Sequence, residues 1–182
     1  LDSSFSEASL VQRINSDLAN DLGNLFSRVL SMVHKYFDGV VPEVEPTVEA
    51  ECELGLVANA QTAIADYEGF MESFQFHNAL QAVWKFISEM NKYVDVTAPW
   101  ELAKKKSSRK SLSVVIYNLL EGLRIISGLI YPVMPDTAAK MQKHLGLNPD
   151  EPFYLIDRLK FWKTIKPGTQ LPKSIVLFPR ID

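Results

Sequence analysis

Apolar residues recur at steps of three and four through most of this chain, which is the spacing of one face of an α-helix. The pattern is clearest over residues 7–37, where its members are Val11, Ile14, Leu18, Leu22, Leu25, Val29, Met32, Val33 and Phe37. Ser4 or Ser6 can cap the start of this predicted helix, and Asp38-Gly39 can end it, because glycine readily takes a left-handed conformation. The chain therefore begins with a long amphipathic helix.

The same period predicts further helices over residues 48–74, 77–94 and 111–131, with a short helix opened by Pro99. Another helix follows from Asp136, as its cap, to Gly146, and a short one is expected over 153–163. The helix over 111–131 is apolar on more than one side, so it should be central. Residues 175–178 read as an extended apolar tail. We predict an all-α bundle of four or five main helices in a single domain, residues 1–182.

Charge and composition exclude several classes of protein. The net charge is -3 and the pI about 5.7, which argues against a chain that binds nucleic acid over its whole surface. A single cysteine, Cys52, forms no internal disulfide, which is typical of a reducing cytoplasm. We expect neither a membrane span nor a signal peptide, since there is no run of about 18 apolar residues and no basic-then-apolar start. The start at Leu1 without methionine favours an excised fragment or a processed chain.

Motifs for catalysis or metal binding are missing from the sequence. There is no phosphate-cradling glycine loop, no CxxC pair and no HExxH motif. His34, His77 and His144 fall on different predicted helices, and no base accompanies Cys52. We therefore predict no catalytic residue and no metal site in this chain.

One polar row on the first helix could contact a nucleic-acid base. Asn20, Asn24 and Arg28 lie four residues apart, so they stack on one side of a regular helix. A planar amide and a planar guanidinium can together bond the edge of a nucleobase. An ordinary solvated helix face gives the same spacing, and spacing alone does not separate the two interpretations.

Trp100 and the basic residues after it form a second candidate region. Trp100 follows Pro99 at a predicted chain reversal, where an indole can stack on an unpaired base or be wedged into the core. Five cations follow within ten residues: Lys104, Lys105, Lys106, Arg109 and Lys110. They could meet phosphates, or they could form a solvated loop.

Four stretches of the chain together resemble methionyl-tRNA synthetase. They are RINSDLANDLGNLFSRVLSMVHKYFDG (13–39), NKYVDVTAPWELAK (91–104), IYPVMPDTAAKM (130–141) and LFPRID (177–182). Their order and spacing are similar to those of the C-terminal anticodon-binding domain of that family, over essentially the whole chain. The first two stretches are the most specific.

The resemblance implies roles for five residues. In the family, the asparagine and arginine of the NLxSR stretch recognise the wobble cytosine of the CAU anticodon, and these positions are Asn24 and Arg28 here. The tryptophan after Ala-Pro stacks on that base, which implies the same for Trp100, with Pro99 in support. Asn20, one turn before Asn24, is a weaker candidate.

The resemblance also implies what lies outside this chain. The family's catalytic half carries a HIGH-like motif, a KMSKS loop and often a zinc-binding insertion, and none of these is present here. ATP, magnesium and zinc are therefore expected only in the parent ligase, which joins methionine to its tRNA. The expected partners are a methionine tRNA and the missing catalytic domain, with no DNA and no membrane.

Three other interpretations stay open at this point. The chain could be a helical scaffold that binds proteins through an apolar groove, in which case Trp100 should lie in the core. It could be the equivalent domain of a synthetase for cysteine, leucine, isoleucine or valine. A catalytic domain with unrecognised chemistry is the third.

Overall fold

The first helix is continuous from residue 7 to residue 37, as predicted, but its middle turns are not α-helical. A computed structural model of the chain describes residues 6–45, 55–148 and 150–181. The N-terminal helix consists of α1 (Glu7–Arg13), a π-helical segment (Ile14–Gly23) and α2 (Asn24–Phe37). The backbone amide of Ser9 donates to the Ser6 hydroxyl at its start, and Asp38 ends it in a left-handed conformation, with φ 53°.

The remaining helices follow in chain order. They are α3 (Leu56–Glu72), α4 (Phe76–Thr97), α5 (Pro99–Leu102), a 3₁₀ turn (Lys106–Ser108), α6 (Arg109–Ile130), α7 (Pro135–His144) and α8 (Ile156–Leu159). Over the described ranges, β pairing is limited to one antiparallel bridge, between Val40 and Gln170. The prediction of an all-α bundle is confirmed.

Several predicted boundaries were wrong. The predicted second helix starts at residue 48, and its part over 48–54 lies outside the described residues. Phe74, the last residue of that predicted helix, fits its apolar period but lies beyond α3 with φ 57° and is largely exposed, because the chain turns there. Asp136 lies inside the first turn of α7, where Met134 takes the cap position. Only one turn, α8, forms within 153–163.

The N-terminal helix and α4 run in the same direction. The indole N–H of Trp84 donates to the Asp17 carbonyl at 3.3 Å, and Arg28 pairs with Asp95 at 3.5 Å. The two contacts are eleven residues apart on each helix, so the residue numbers rise together. A three-residue turn joins α3 to α4, which makes these two antiparallel.

Helix α6 runs opposite to α4 through the middle of the bundle. Asn118 of α6 donates to the Tyr93 hydroxyl at 3.2 Å, and Gly122 lies against Met90, where a Cβ would fall 2.3 Å from the Met90 sulfur. Every residue from Val114 to Ile130 is buried, so the predicted central position is confirmed. Residues 106–130 are long and apolar enough to cross a membrane, but they are almost entirely buried by the other helices, as is typical of a core helix.

These directions give the bundle two ends. The Trp100 end holds the last turns of α2 and α4, α5 and the start of α6. The Phe76 end holds the start of α4 and the ends of α3 and α6. The two ends of α4 are about 33 Å apart, since 22 residues each rise 1.5 Å.

A buried ion pair connects α6 to the segment after α8. Glu121 and Arg124 pair at 2.8 Å, and both side chains are almost completely buried. Arg124 also donates to the Phe161 carbonyl, and Tyr117 donates to the Ile165 carbonyl at 2.8 Å. A buried charge is tolerated only when paired and hydrogen-bonded, and this network meets that condition.

The extended tail lies along the N-terminal helix in the opposite direction. The Pro172 carbonyl is 2.9 Å from the His34 ring, and Ser27 donates to the Ile175 carbonyl at 3.0 Å. Near the other end of the helix, the Asn15 side chain bonds both the amide and the carbonyl of Ile181, at 3.0 and 2.8 Å. The predicted extended tail over 175–178 is confirmed, and it continues to residue 181.

Candidate nucleic-acid interface

Asn24 and Arg28 lie one turn apart at the edge of the packed face of α2. Their neighbours Leu25 and Val29 are completely buried, which fixes the helix against the core. Asn24 is exposed and Arg28 half-buried. Within the described part of the chain, the side-chain amide of Asn24 makes no hydrogen bond, so both its donor and its acceptor can bond a ligand.

Arg28 is held against the end of α4 by Asp95. The guanidinium lies 3.5 Å from the carboxylate, across the space between the two helices. An exposed ion pair of this kind contributes little to stability. The ion pair instead sets the position of the Arg28 side chain, because it directs the guanidinium towards the segment that carries Trp100, five residues after Asp95.

Trp100 lies in a short helix that a left-handed residue opens. Ala98 has φ 41°, which reverses the chain after α4, and the buried Pro99 occupies the first position of α5. The Trp100 side chain is left 40% exposed. An indole that presents a face to solvent can stack on a base, whereas the scaffold interpretation expects Trp100 in the core, and that expectation is wrong.

Asn20 lies in the π segment and contacts the tail. Its side-chain oxygen accepts a 2.6 Å hydrogen bond from Arg180. A π turn holds more residues than the α turn assumed from the sequence, so Asn20 is rotated out of the row of Asn24 and Arg28. Asn20 and Asn24 both line a cavity of about 350 Å³ between the N-terminal helix and the tail, which Phe178 and Arg180 complete.

Arg180 is a residue that the sequence interpretation did not assign. The LFPRID stretch marks it as part of the resemblance, but its contact with Asn20 depends on how the tail folds back over 160 residues of chain. Gly23 allows this approach, because a Cβ there would lie 3.4 Å from the Phe178 ring and 3.0 Å from the Leu18 carbonyl.

Burial raises the pKa of one carboxyl in the π segment. Asp21 lies between Asn20 and Leu22 in the π segment, and its partial burial disfavours the charged form. The negative charge of Asp17 adds to the rise of the Asp21 pKa.

Three of the five cations after Trp100 already have partners. Lys104 pairs with Glu101 at 2.7 Å and Lys110 with Glu45 at 2.8 Å. Arg109 donates to the Tyr36 carbonyl at 2.6 Å and lies over the Phe37 ring, so it caps the end of α2. Lys105 and Lys106 are exposed and lack an ion-pair partner among the described residues, which leaves them the better candidates for phosphate contacts.

Metal ligands do not cluster in the described part of the chain. No three histidine, cysteine or acidic side chains among residues 6–45, 55–148 and 150–181 approach closely enough to hold an ion. Cys52 falls outside those ranges.

Comparison with known proteins identifies the family. Residues 41–182 match the model of the anticodon binding domain of methionyl tRNA ligase. The chain belongs to this family. It is 48% identical over 181 residues to the methionine–tRNA ligase of Caldanaerobacter subterraneus subsp. tengcongensis and 40% identical to that of Bacillus subtilis.

The matching region is only a part of each relative. The chain is covered completely but spans 28% and 27% of the length of these two methionine–tRNA ligases. The structure of the apo form of Mycobacterium tuberculosis methionyl-tRNA synthetase superimposes with a TM-score of 0.88 at 36% identity, over 98% of this chain and 35% of that one. The resemblance stated from the sequence is confirmed, and the relatives are methionine ligases rather than synthetases for other amino acids.

Proposed function

We propose that this anticodon-binding domain reads the CAU anticodon of a methionine tRNA for a methionine–tRNA ligase. The ligase as a whole would join methionine to the tRNA at the expense of ATP. Its catalytic body, in which ATP, magnesium and any zinc would bind, corresponds to the part of the relatives that this chain does not match. We place the enzyme in the cytoplasm, where tRNA is charged.

The proposed recognition uses two elements of the Trp100 end. Trp100 takes the face of the splayed first anticodon base, cytosine, and Pro99 fixes the turn beneath it. Asn24 and Arg28 hydrogen-bond the edge of that base, with Asn20 a weaker contributor through the tail-side cavity. Proteins that recognise RNA by sequence commonly bind unpaired bases that stack on an aromatic side chain. A different first base leaves these polar groups desolvated and unpaired, and that penalty provides specificity.

The observation that carries the proposal is the contact between Arg28 and Asp95. It connects the α2 row to the last turn of α4, after which Trp100 follows within five residues. Trp100 is exposed and Asn24 has unused hydrogen-bonding groups. Lys105 and Lys106 supply positive charge close in sequence to Trp100, suited to the phosphates of the loop.

The test is a titration of the chain with labelled anticodon stem-loops, followed by fluorescence anisotropy. A CAU loop should bind about tenfold to a hundredfold more tightly than a UAU loop. Asn24→Ala and Arg28→Ala should remove most of this difference. Asn78→Ala, at a half-buried asparagine of the Phe76 end whose side chain donates to Gln75, is the matched control and should keep it. Equal affinity for both loops would contradict the proposal.

A further inference from the structure

Trp100 belongs to a short segment that is hydrogen-bonded along its whole length. Consecutive backbone hydrogen bonds connect residues 98–109, beginning with the Glu101 amide, which donates to the Ala98 carbonyl at 2.8 Å. We call these residues the Trp100 segment. Leu102, within it, packs against the core. Because the segment is connected internally, a contact at either of its ends also affects the position of the indole.

Arg109 ends this segment and connects it to the last turn of α2. Its guanidinium donates to the Tyr36 carbonyl at 2.6 Å and lies over the Phe37 ring, 4.0 Å from the ring centre. The last carbonyls of a helix have no helical partner, and the helix dipole favours a cation there. One side chain therefore makes two directed contacts, a hydrogen bond and a stacked face, which fix its orientation as well as its distance.

A second contact connects α2 to the other side of the segment. Arg28 pairs with Asp95, three residues before Ala98, but at 3.5 Å and with 69% of the Asp95 side chain exposed. Such a pair is weak, and in the proposed function a base edge competes for the same guanidinium. The Arg109 contact lies about 12 Å farther along α2, since eight residues separate Arg28 from Tyr36. It therefore stays in place when a base engages Arg28.

We propose that Arg109 is a positioning residue for anticodon reading. It sets the distance between the Trp100 indole and the row of Asn24 and Arg28, into which the cytosine must fit. This inference rests on the proposed function. The other use of a cation beside an unpaired loop is a phosphate contact, which acts through charge. The contacts of Arg109 favour positioning, because α2 already occupies its ring-facing side and one of its N–H groups.

Hydrogen–deuterium exchange of the free chain tests the positioning without RNA. In Arg109→Ala, peptides covering 99–108 should exchange about fivefold to tenfold faster than in the wild-type chain, because the end of the segment is released. Peptides covering 76–84, at the other end of α4, should be unchanged. The matched control is Lys110→Ala, which removes the neighbouring cation and its exposed pair with Glu45. It should leave the exchange over 99–108 unchanged, and thermal unfolding verifies that both variants are folded.

Binding of the stem-loops then shows whether this position matters for reading. The ratio of the UAU to the CAU dissociation constant should fall about tenfold in Arg109→Ala, because the indole and the polar row are no longer held ready for the base. The ratio should keep its wild-type value in Lys110→Ala. A general effect of lost positive charge would instead lower the affinity of both variants for both loops.

The salt dependence of CAU-loop affinity separates positioning from phosphate contact. Each phosphate contact that is lost lowers the slope of log affinity against log salt by about 0.7 for a single strand. Arg109→Ala should therefore keep the wild-type slope. Lys105→Ala, at an exposed cation of the same segment, is the comparison and should lower the slope by about 0.7.

The Phe37 ring offers a second variant, which leaves every charge in place. Phe37→Leu removes the face over which Arg109 lies and should lower the discrimination ratio several-fold. Adding Arg109→Ala to it should cause little further loss, because both changes break the same contact. Arg109→Lys keeps the charge but not the planar fork, so it should restore only part of the discrimination.

The inference and the proposed function fail in different ways. If the wild-type chain distinguishes the loops and Arg109→Ala distinguishes them equally well, the positioning role alone is wrong. Unchanged exchange over 99–108 in Arg109→Ala would also overturn it, and a lower salt slope would assign Arg109 to a phosphate instead. If the wild-type chain binds both loops equally, the proposed function fails and this inference fails with it.

Discussion

Both ends of the bundle expose aromatic side chains, but in different surroundings. At the Trp100 end a single indole lies among charged and polar groups, with Asp95, Lys105 and Lys106 nearby in the sequence. At the Phe76 end two phenylalanines lie beside an apolar groove between the N-terminal helix and α4, where Arg13 pairs with Asp17. One aromatic among charges suits a base with its phosphates, and several apolar groups together suit another protein surface. Exposure alone therefore does not predict function; the neighbours of the exposed ring do.

The strongest prediction concerns the middle of the molecule, which holds the two ends together. Glu121→Ala leaves Arg124 as an unpaired buried charge, so we expect a loss of about 3–5 kcal/mol of unfolding free energy. Urea unfolding measures it. Both ends should lose exchange protection together. The control Glu72→Ala, at an exposed site on α3, should cost under about 0.5 kcal/mol. Loss of protection at one end alone would show that the ends are independent.

The next prediction contrasts the same substitution at two tryptophans, Trp84 and Trp100. Trp84 is half-buried and bonds the Asp17 carbonyl, so Trp84→Ala should cost about 2–3 kcal/mol of stability with CAU-loop affinity unchanged. Trp100→Ala should cost under about 1 kcal/mol of stability but weaken loop binding about tenfold or more. Thermal unfolding measures the stability of both variants, and fluorescence anisotropy measures their affinity for the CAU loop. A comparable stability loss for both variants would remove the functional distinction between the ends.

A smaller effect is expected where the tail crosses the N-terminal helix. Gly23→Ala places a Cβ 3.0 Å from the Leu18 carbonyl and 3.4 Å from Phe178, so it should cost about 1–2 kcal/mol and speed amide exchange over 172–181. Gly69→Ala is the control, because nothing lies within 4 Å of its added methyl group. That change should stabilise α3 by about 0.5–1 kcal/mol. Unchanged tail exchange in Gly23→Ala would mean that the tail does not depend on this contact.

The smallest predicted effect depends on pH. The Asp21 pKa is raised, so the folded chain binds that proton more tightly than the unfolded chain. This tighter proton binding stabilises the folded chain fully at pH values below the pKa of Asp21 in the unfolded chain. The stabilisation is lost as the pH rises through the raised pKa of Asp21 in the folded chain. Asp21→Asn should therefore raise Tm at pH 7 and leave it nearly unchanged at pH 3. A larger gain at pH 3 would reverse the assigned direction.

Periodic features of the fold could be predicted from the sequence, and non-local ones could not. The N-terminal helix, the central position of α6 and the opening of α5 at Pro99 follow from apolar spacing and proline geometry. Phe74 fits the period of α3 but lies beyond its end, because a left-handed turn intervenes. From the sequence alone, Glu121 and Arg124 look like an ordinary exposed ion pair on a helix. Their contacts with the backbone of residues 161–165 show why the pair can be buried.

The residues of the candidate site also divide into local ones that could be predicted and ones with non-local contacts that could not. Asn24, Arg28 and Trp100 were found from planarity, placement and resemblance, and each lies where it can meet solvent. Asp95 and Arg180 were missed as contributors, because their contacts join segments 67 and 160 residues apart. Local spacing holds no information on such pairs. Arg109, one of the cations for which phosphate contact and a solvated loop were both left open, caps α2 instead.

The path of the tail has a consequence for how the chain folds as it is synthesised. The side of the N-terminal helix that carries Asn20 and Asn24 is completed by residues 172–181, through contacts that span up to 166 residues. A ribosome makes that helix first and its cover last, and contacts between such distant residues form slowly. For most of the synthesis time this side of the helix stays uncovered, so a nascent chain stalled before residue 172 would leave Gly23, Ser27 and His34 without the tail that lies against them in the complete fold.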